Sequence, residues 1–129
     1  MLVLDASALA SWLMPDEPGV DLAALSARHD VFAAPGLLWA EIRNILVVAE
    51  RRGRIDRGSV DLAIAAMDDL GIVLDRAPSS AAVIDLSRRH GLTVYDALYL
   101  ELALREDAEL ATLDAALARA ARAEGVQVA

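Results

Sequence analysis

Short apolar runs alternate with longer amphipathic stretches from end to end, and this alternation predicts an α/β fold with a mainly parallel central sheet of about four to five short strands. The opening run Leu2-Val3-Leu4 has no polar alternate, as expected of a strand covered on both faces. The length, 129 residues, is that of one ordinary domain, so residues 1–129 are read as a single unit.

The first strand is residues 1–4. A helix over 8–13 stops ahead of Pro15, because the residue before a proline avoids helical dihedrals. Residues 20–29 read as a second helix, and 30–34 as a second strand closed by Pro35-Gly36. Leu38, Ile42, Ile45, Leu46 and Ala49 fall at helical spacing within a long helix over 37–52, which Gly53 ends. A helix over 60–70, ended by Gly71, leads to a third strand at 72–74. Pro78 fits the first turn of a helix that closes on Arg88-Arg89-His90-Gly91, cations and then glycine. A helix over 93–106, a fourth strand over 109–112, a helix over 115–123 and a last short strand over 126–128 complete the chain.

Composition removes several chemistries. Without cysteine there is no disulfide framework, thiolate zinc site or Cys nucleophile. All 12 basic residues are Arg, and the missing Lys excludes Walker-type phosphate loops and Schiff-base catalysis. The N-terminus has no basic region of signal-peptide type, and no apolar stretch is long enough to span a bilayer, so a soluble cytoplasmic protein is expected. A net charge of −8 runs against a general nucleic-acid binder, which is normally basic.

Three acids stand out by position. Asp5 ends the first strand, Asp114 ends the fourth, and Asp96 begins a helix. Ligands of an open parallel sheet bind beyond the carboxyl ends of its strands, so all three are expected at that crevice. Each Asp is also a good helix cap, and Thr93-x-x-Asp96 resembles a capping box. Glu41 is different: it is read inside the long helix, on a face shared with Leu37, Leu38, Ile42 and Ile45. A carboxylate there is costly without a charge partner or a metal. Four converging carboxylates raise one another's pKa unless a cation compensates them. An all-oxygen set selects hard ions, Mg²⁺ or Mn²⁺, which activate water and stabilise a phosphoryl group in transfer.

At these residues the sequence resembles the PIN-domain family, and within it the VapC-type toxin ribonucleases of bacterial toxin–antitoxin pairs. Leu2-Val-Leu-Asp5-Ala-Ser7 resembles the first motif of the family. Pro35 through Trp39-Ala-Glu41-Ile-Arg-Asn44 is similar to the second, Tyr95-Asp96-Ala-Leu-Tyr99 to the third, and Leu110-Ala-Thr112-Leu-Asp114 to the fourth. The resemblance implies a PIN-like α/β/α sandwich and endoribonuclease cleavage at one or two Mg²⁺ or Mn²⁺ ions. By the same carry-over Asp5, Asp96 and Asp114 would hold metal, and Glu41 would complete the site as a ligand or by orienting water. Ser7, Asn44 and Thr112 would hold the carboxylates by hydrogen bonds. The implied partners are RNA, a cognate antitoxin and a second copy of the chain.

Setting the four site acids aside leaves 16 acids against 12 Arg. Arg43, Arg51, Arg52, Arg54 and Arg57 face only Glu50 and Asp56 in their stretch. Arg43, Arg51, Arg52 and Arg54 are expected to contact RNA or an acidic antitoxin segment, with stabilisation of a helix C-terminus as the alternative for Arg51 and Arg52. Trp12 and Trp39 are expected in the core or at a subunit interface rather than stacking on bases. Tyr95 and Tyr99 read as an i, i+4 pair at a dimer contact, and Glu101 with Arg105 as a surface pair. His29 and His90 close helices, and Asp68-Asp69 and Asp16-Glu17 are read as solvated acidic pairs. A haloacid-dehalogenase-like phosphatase also begins with a strand-end Asp. It needs a second Asp two residues on, where Ser7 stands, and a Lys that this chain lacks. A PIN domain kept only as a binding module predicts a missing acid, and all four are present.

Overall fold

A computed structural model of the chain describes residues 1–14, 16 and 18–129. Pro15 and Glu17 lie outside the described residues, and with Glu17 the expected solvated acidic pair Asp16-Glu17; the first helix ends at Leu13, as expected.

Four strands, β1 (Leu2–Leu4), β2 (Phe32–Pro35), β3 (Val73–Asp75) and β4 (Glu109–Ala111), form one sheet in the order β3-β2-β1-β4. Every pairing is parallel: Leu2 sits opposite Phe32 and Glu109, and Ala33 opposite Val3 and Val73. Among the described residues there are seven helices: α1 (Ala6–Leu13), α2 (Leu22–Ser26), α3 (Leu38–Arg51), α4 (Arg57–Asp69), α5 (Ser80–His90), α6 (Val94–Arg105) and α7 (Ala115–Ala123). The α/β class with a parallel sheet is as the alternating pattern predicts.

Strand alternation divides the core. Val3, Ala33 and Leu110 pack in one cluster with α6 residues Ala97, Leu100 and Ala103 and α7 residues Leu117 and Ala121. Leu2, Leu4, Phe32 and Ala111 pack in another with Ala8, Leu22 and Leu25. β1 is therefore buried on both faces, which explains its unbroken apolar sequence. A third cluster, Met14, Leu46, Ala49, Ile55 and Ala63, ties α3 and α4 together beyond the sheet. Among the described residues no helix is long and apolar enough to cross a membrane.

Several boundaries differ from the expected ones, each for a local reason. Helix α1 begins at Ala6 rather than residue 8, because the Asp5 carboxylate accepts the Ala8 N–H and caps it. Asp56 does the same for α4 through Ser59 N–H, so that helix starts at Arg57 and runs through Gly58. Only Leu22 and Leu25 of α2 reach the core, and the helix covers five residues instead of the predicted 20–29. Pro35 is the last residue of β2 instead of its terminator, and β3 is shifted one residue past Ile72. Pro78 precedes the Ser79 cap of α5 and stays outside the first turn. The predicted strand over 126–128 reduces to a single parallel bridge between Leu110 and Val128. Gly53 and Gly91 do end their helices as expected, with φ of +72° and +64° that a side chain would strain.

Candidate functional site

The strand order places the crevice. The chain passes from β1 outward to β2 and β3, then returns to put β4 on the other side of β1. Beyond the carboxyl ends of β1 and its edge neighbour β4 lie Asp5 and Asp114, at the point where the connections diverge.

Asp5 is the most firmly held. Its Oδ1 accepts the Ser7 hydroxyl at 2.7 Å and the Ala8 N–H at 2.8 Å, and its Oδ2 accepts the Thr112 hydroxyl. The two hydroxyls are fixed in turn: Ser7 Oγ accepts Leu113 N–H at 2.9 Å, and Thr112 Oγ1 accepts Asp114 N–H at 3.0 Å. This chain of bonds fastens the end of β1 to the turn after β4. Asp114 caps α7 by accepting Leu117 N–H at 2.7 Å, which leaves the rest of its exposed carboxylate toward solvent. Asp96 lies in the first turn of α6, after the cap made by Thr93 to Asp96 N–H at 3.1 Å. The caps and the acidic cluster thus use the same residues: capping and site roles coexist.

Glu41 lies in the first turn of α3, since Leu38 is the first helical residue; the expected interior position is corrected by this start. Its Oε2 accepts the Tyr99 hydroxyl at 3.3 Å, across from α6. Tyr99 is 2% exposed and belongs to the core, so the expected dimer-contact pair with Tyr95 does not form. Tyr99 is the residue that sequence reasoning missed. The available signal was its position on the face of α6 one turn below Asp96, pointing to the same crevice.

The acids sense one another. Burial pushes the Asp5 carboxyl above its ordinary value, its three hydrogen bonds oppose this, and Asp114 adds to the rise. Burial also raises Glu41, against the Tyr99 hydrogen bond and with a further push from Asp96 and Asp5. Asp96 is raised by burial and by Asp114. Burial first, then Glu41, Asp5 and Asp96, keep the Tyr99 phenol protonated far beyond neutral pH. The carboxylates therefore influence one another electrostatically, and Glu41 alone of the four bonds Tyr99. Among the described residues, however, no three Asp, Glu or His side chains already stand close enough to enclose a metal ion. All-oxygen donors carrying mutual repulsion fit a hard divalent cation in chemistry; the side chains would have to draw inward around it.

Removal of the Tyr99 hydroxyl gives a direct test of this arrangement. In Tyr99→Phe the hydrogen bond favouring charged Glu41 is gone, so the Glu41 titration midpoint should move up, read by carboxyl-carbon NMR. The ring stays packed, so stability should change by only about 1 kcal/mol or less. An unmoved midpoint would show that the 3.3 Å contact carries no weight.

The remaining expected residues are placed as follows. Ser7 and Thr112 bond Asp5, as described. Asn44 is exposed and, among the described residues, bonds none of the carboxylates. Arg43 donates to the Trp39 carbonyl at 3.0 Å and lies 4.0 Å over the Trp39 ring, so it is engaged on its own helix. Arg51 and Arg52 are at the far end of α3, roughly 15 Å along the axis from Glu41. Arg54 pairs with Asp16 at 3.3 Å. Trp12 and Trp39 are exposed and do not fill the core. Glu101 is 3% exposed, which corrects the expected surface pair: it bonds Arg105 at 2.9 Å, and Arg105 reaches Asp75 at 2.7 Å, joining α6 to the end of β3. His90 ends α5 and pairs with Glu124 at 2.6 Å; His29 lies beyond α2 and pairs with Glu109 at 2.7 Å.

The PIN domain model matches residues 2–123. Ribonuclease VapC1 of Mycobacterium tuberculosis is 35% identical over 121 residues, covering 92% of this chain and 89% of the relative. Ribonuclease VapC3 of Pyrobaculum aerophilum is 31% identical over 121 residues, covering 91% and 92%. In structure, PAE2754 from Pyrobaculum aerophilum aligns with a TM-score of 0.74 at 24% identity, over 98% of this chain and 89% of that one. FitAcB from Neisseria gonorrhoeae aligns with a TM-score of 0.70 at 18% identity, over 99% and 96%. These two show the fold.

Proposed function

The chain belongs to the PIN-domain family, and from that premise we propose that it is a divalent-metal-dependent endoribonuclease, the toxin of a toxin–antitoxin pair. The reading is supported by Asp5 and Asp114 lying beyond the ends of β1 and β4 and by Asp96 and Glu41 in the first turns of α6 and α3, where neighbouring acids add to the raised pKa of Asp5, Glu41 and Asp96. The reading takes residues 1–129 as one PIN domain acting in the cytoplasm, with RNA, an antitoxin and a second copy of the chain as partners.

Asp5, Asp96 and Asp114 would hold one or two Mg²⁺ or Mn²⁺ ions, with Glu41 completing the site. Such an ion supplies positive charge that offsets the carboxylates and the phosphoryl oxygens of the substrate. Ser7 and Thr112 keep both Asp5 oxygens at fixed positions, so the acid need not reorganise as substrate arrives. Glu41 is the general base. Its Oε2 is taken by Tyr99, so Oε1 accepts the proton of the attacking water, whose oxygen bonds to phosphorus as the bridging P–O bond breaks. Arg51 and Arg52 are left to a contact with RNA or antitoxin outside the cleavage centre.

Incubation with pooled total RNA tests the reading. Cutting is expected with Mg²⁺ or Mn²⁺ and none with EDTA. Cutting that survives EDTA would overturn the metal role. Hydrolysis of a small phosphomonoester in place of RNA would favour a phosphatase, and neither activity a binding module.

A further inference from the structure

We infer that the recess between Tyr95 and the N-terminal half of α3 is a pocket for one nucleobase of a single-stranded RNA, next to the cleavage centre. The inference rests on the ribonuclease reading above. Leu37, Ala40, Glu41, Asn44 and Tyr95 line the recess, which is shallow and open to solvent. The four α3 positions are spaced by three, one and three residues, which puts them on a single helix stripe. Tyr95 is 61% exposed and immediately precedes Asp96, and Glu41 lines the recess, so an occupant would lie beside the acidic cluster. The recess holds about 290 Å³, just below the roughly 300–1,000 Å³ of cofactor and drug clefts, and suits a single planar ring system.

Its chemistry suits a base. Leu37 and Ala40 give an apolar floor, and Glu41 supplies the sole charge among the lining residues. An uncharged planar base can settle on this floor without a charge partner of its own. Tyr95 offers an aromatic face, on which any base stacks. Among the described residues the Asn44 amide and the Tyr95 hydroxyl meet no hydrogen-bond partner. An Asn side chain carries a donor and an acceptor that can read a base edge. Tyr95 therefore provides affinity and Asn44 provides preference.

The test measures binding apart from cleavage. Asp96→Asn protein with Mg²⁺ is titrated into labelled five-nucleotide RNAs of all-A, all-U or all-C sequence, and into a five-unit abasic backbone. Adding Tyr95→Ala should weaken binding of the RNAs about ten-fold or more, and Tyr95→Phe should restore it. Asn44→Ala should change the ratio of affinities among the three sequences. The abasic backbone should bind equally to all variants. Unchanged RNA affinity in Tyr95→Ala, or an equal loss on the abasic backbone, would overturn the proposal. So would a change of oligomeric state on gel filtration, which would place Tyr95 between copies of the chain. If the parent cuts RNA but the variants bind unchanged, the base pocket alone falls. If the parent neither binds nor cuts RNA, the ribonuclease reading falls with it.

Discussion

Asp96→Asn is expected to lower metal-dependent RNA cleavage by about a hundred-fold or more while the protein remains folded. The substitution keeps the shape and removes one negative charge. Asp96 is only partly buried, and its backbone N–H donates to the capping Thr93 hydroxyl, which also favours its charged carboxylate, though less than burial opposes it. The stability effect has a definite sign. The folded pKa of Asp96 is raised, chiefly by burial and then by Asp114. The native state thus holds this proton more tightly than the unfolded chain. Its stabilisation is complete below the unfolded pKa and is lost as pH rises through the folded pKa. In EDTA, the Tm of Asp96→Asn relative to the parent should therefore rise as pH is taken from about 4 toward 7. Loss of a first-turn acid opposes this by about 0.3–1 kcal/mol, so the slope with pH is the diagnostic, not the absolute difference. Full cleavage by Asp96→Asn would remove Asp96 from the site. A Tm difference that falls with pH would show that its carboxylate is stabilised by its surroundings.

Asp5→Ala is expected to abolish cleavage and also to destabilise the fold, by about 2–3 kcal/mol, a Tm loss of roughly 6–12 °C. The buried Asp5 carboxylate accepts Ser7, Ala8 and Thr112, so it is at once the α1 cap and the tie between β1 and the turn after β4. Alanine removes all three acceptors. Asp5→Asn retains Oδ1 for Ser7 and Ala8 and turns an amide toward Thr112, so it should lose cleavage with a stability cost below about 1 kcal/mol. Thermal unfolding and RNA cleavage on the three proteins separate the roles. An alanine variant as stable as the parent would mean that the cap and the tie are redundant.

The site shows how far local rules reach. Asp5 and Asp114 were legible because an acid just beyond an apolar strand is both a helix cap and a crevice residue. Ser7 and Thr112 lie within two residues of these acids, and the structure aims both hydroxyls at Asp5. Asn44, three residues beyond Glu41, has no such constraint and bonds no carboxylate among the described residues. Glu41 was visible as an acid amid apolar neighbours, but its reach to Tyr99 depends on how α3 crosses α6. Glu101 and Arg105 have the spacing of an ordinary exposed pair. Only the packing of α5 and β3 against α6 buries the carboxylate and brings Asp75 to the arginine.

Apolar periodicity and glycine stops determined the α/β class and the order of the elements; acids at strand ends, at a helix start and amid apolar helix neighbours pointed to the four acids of the proposed site. Those features arise from contacts within a turn or a strand, where residue type sets the energy. The tertiary structure decided which face of each helix is covered. It put Tyr99 in the core beneath Glu41, left Tyr95 and both tryptophans exposed, and reduced the last strand to one bridge. Burial of a side chain depends on the elements that pack over it, and those come from distant parts of the chain.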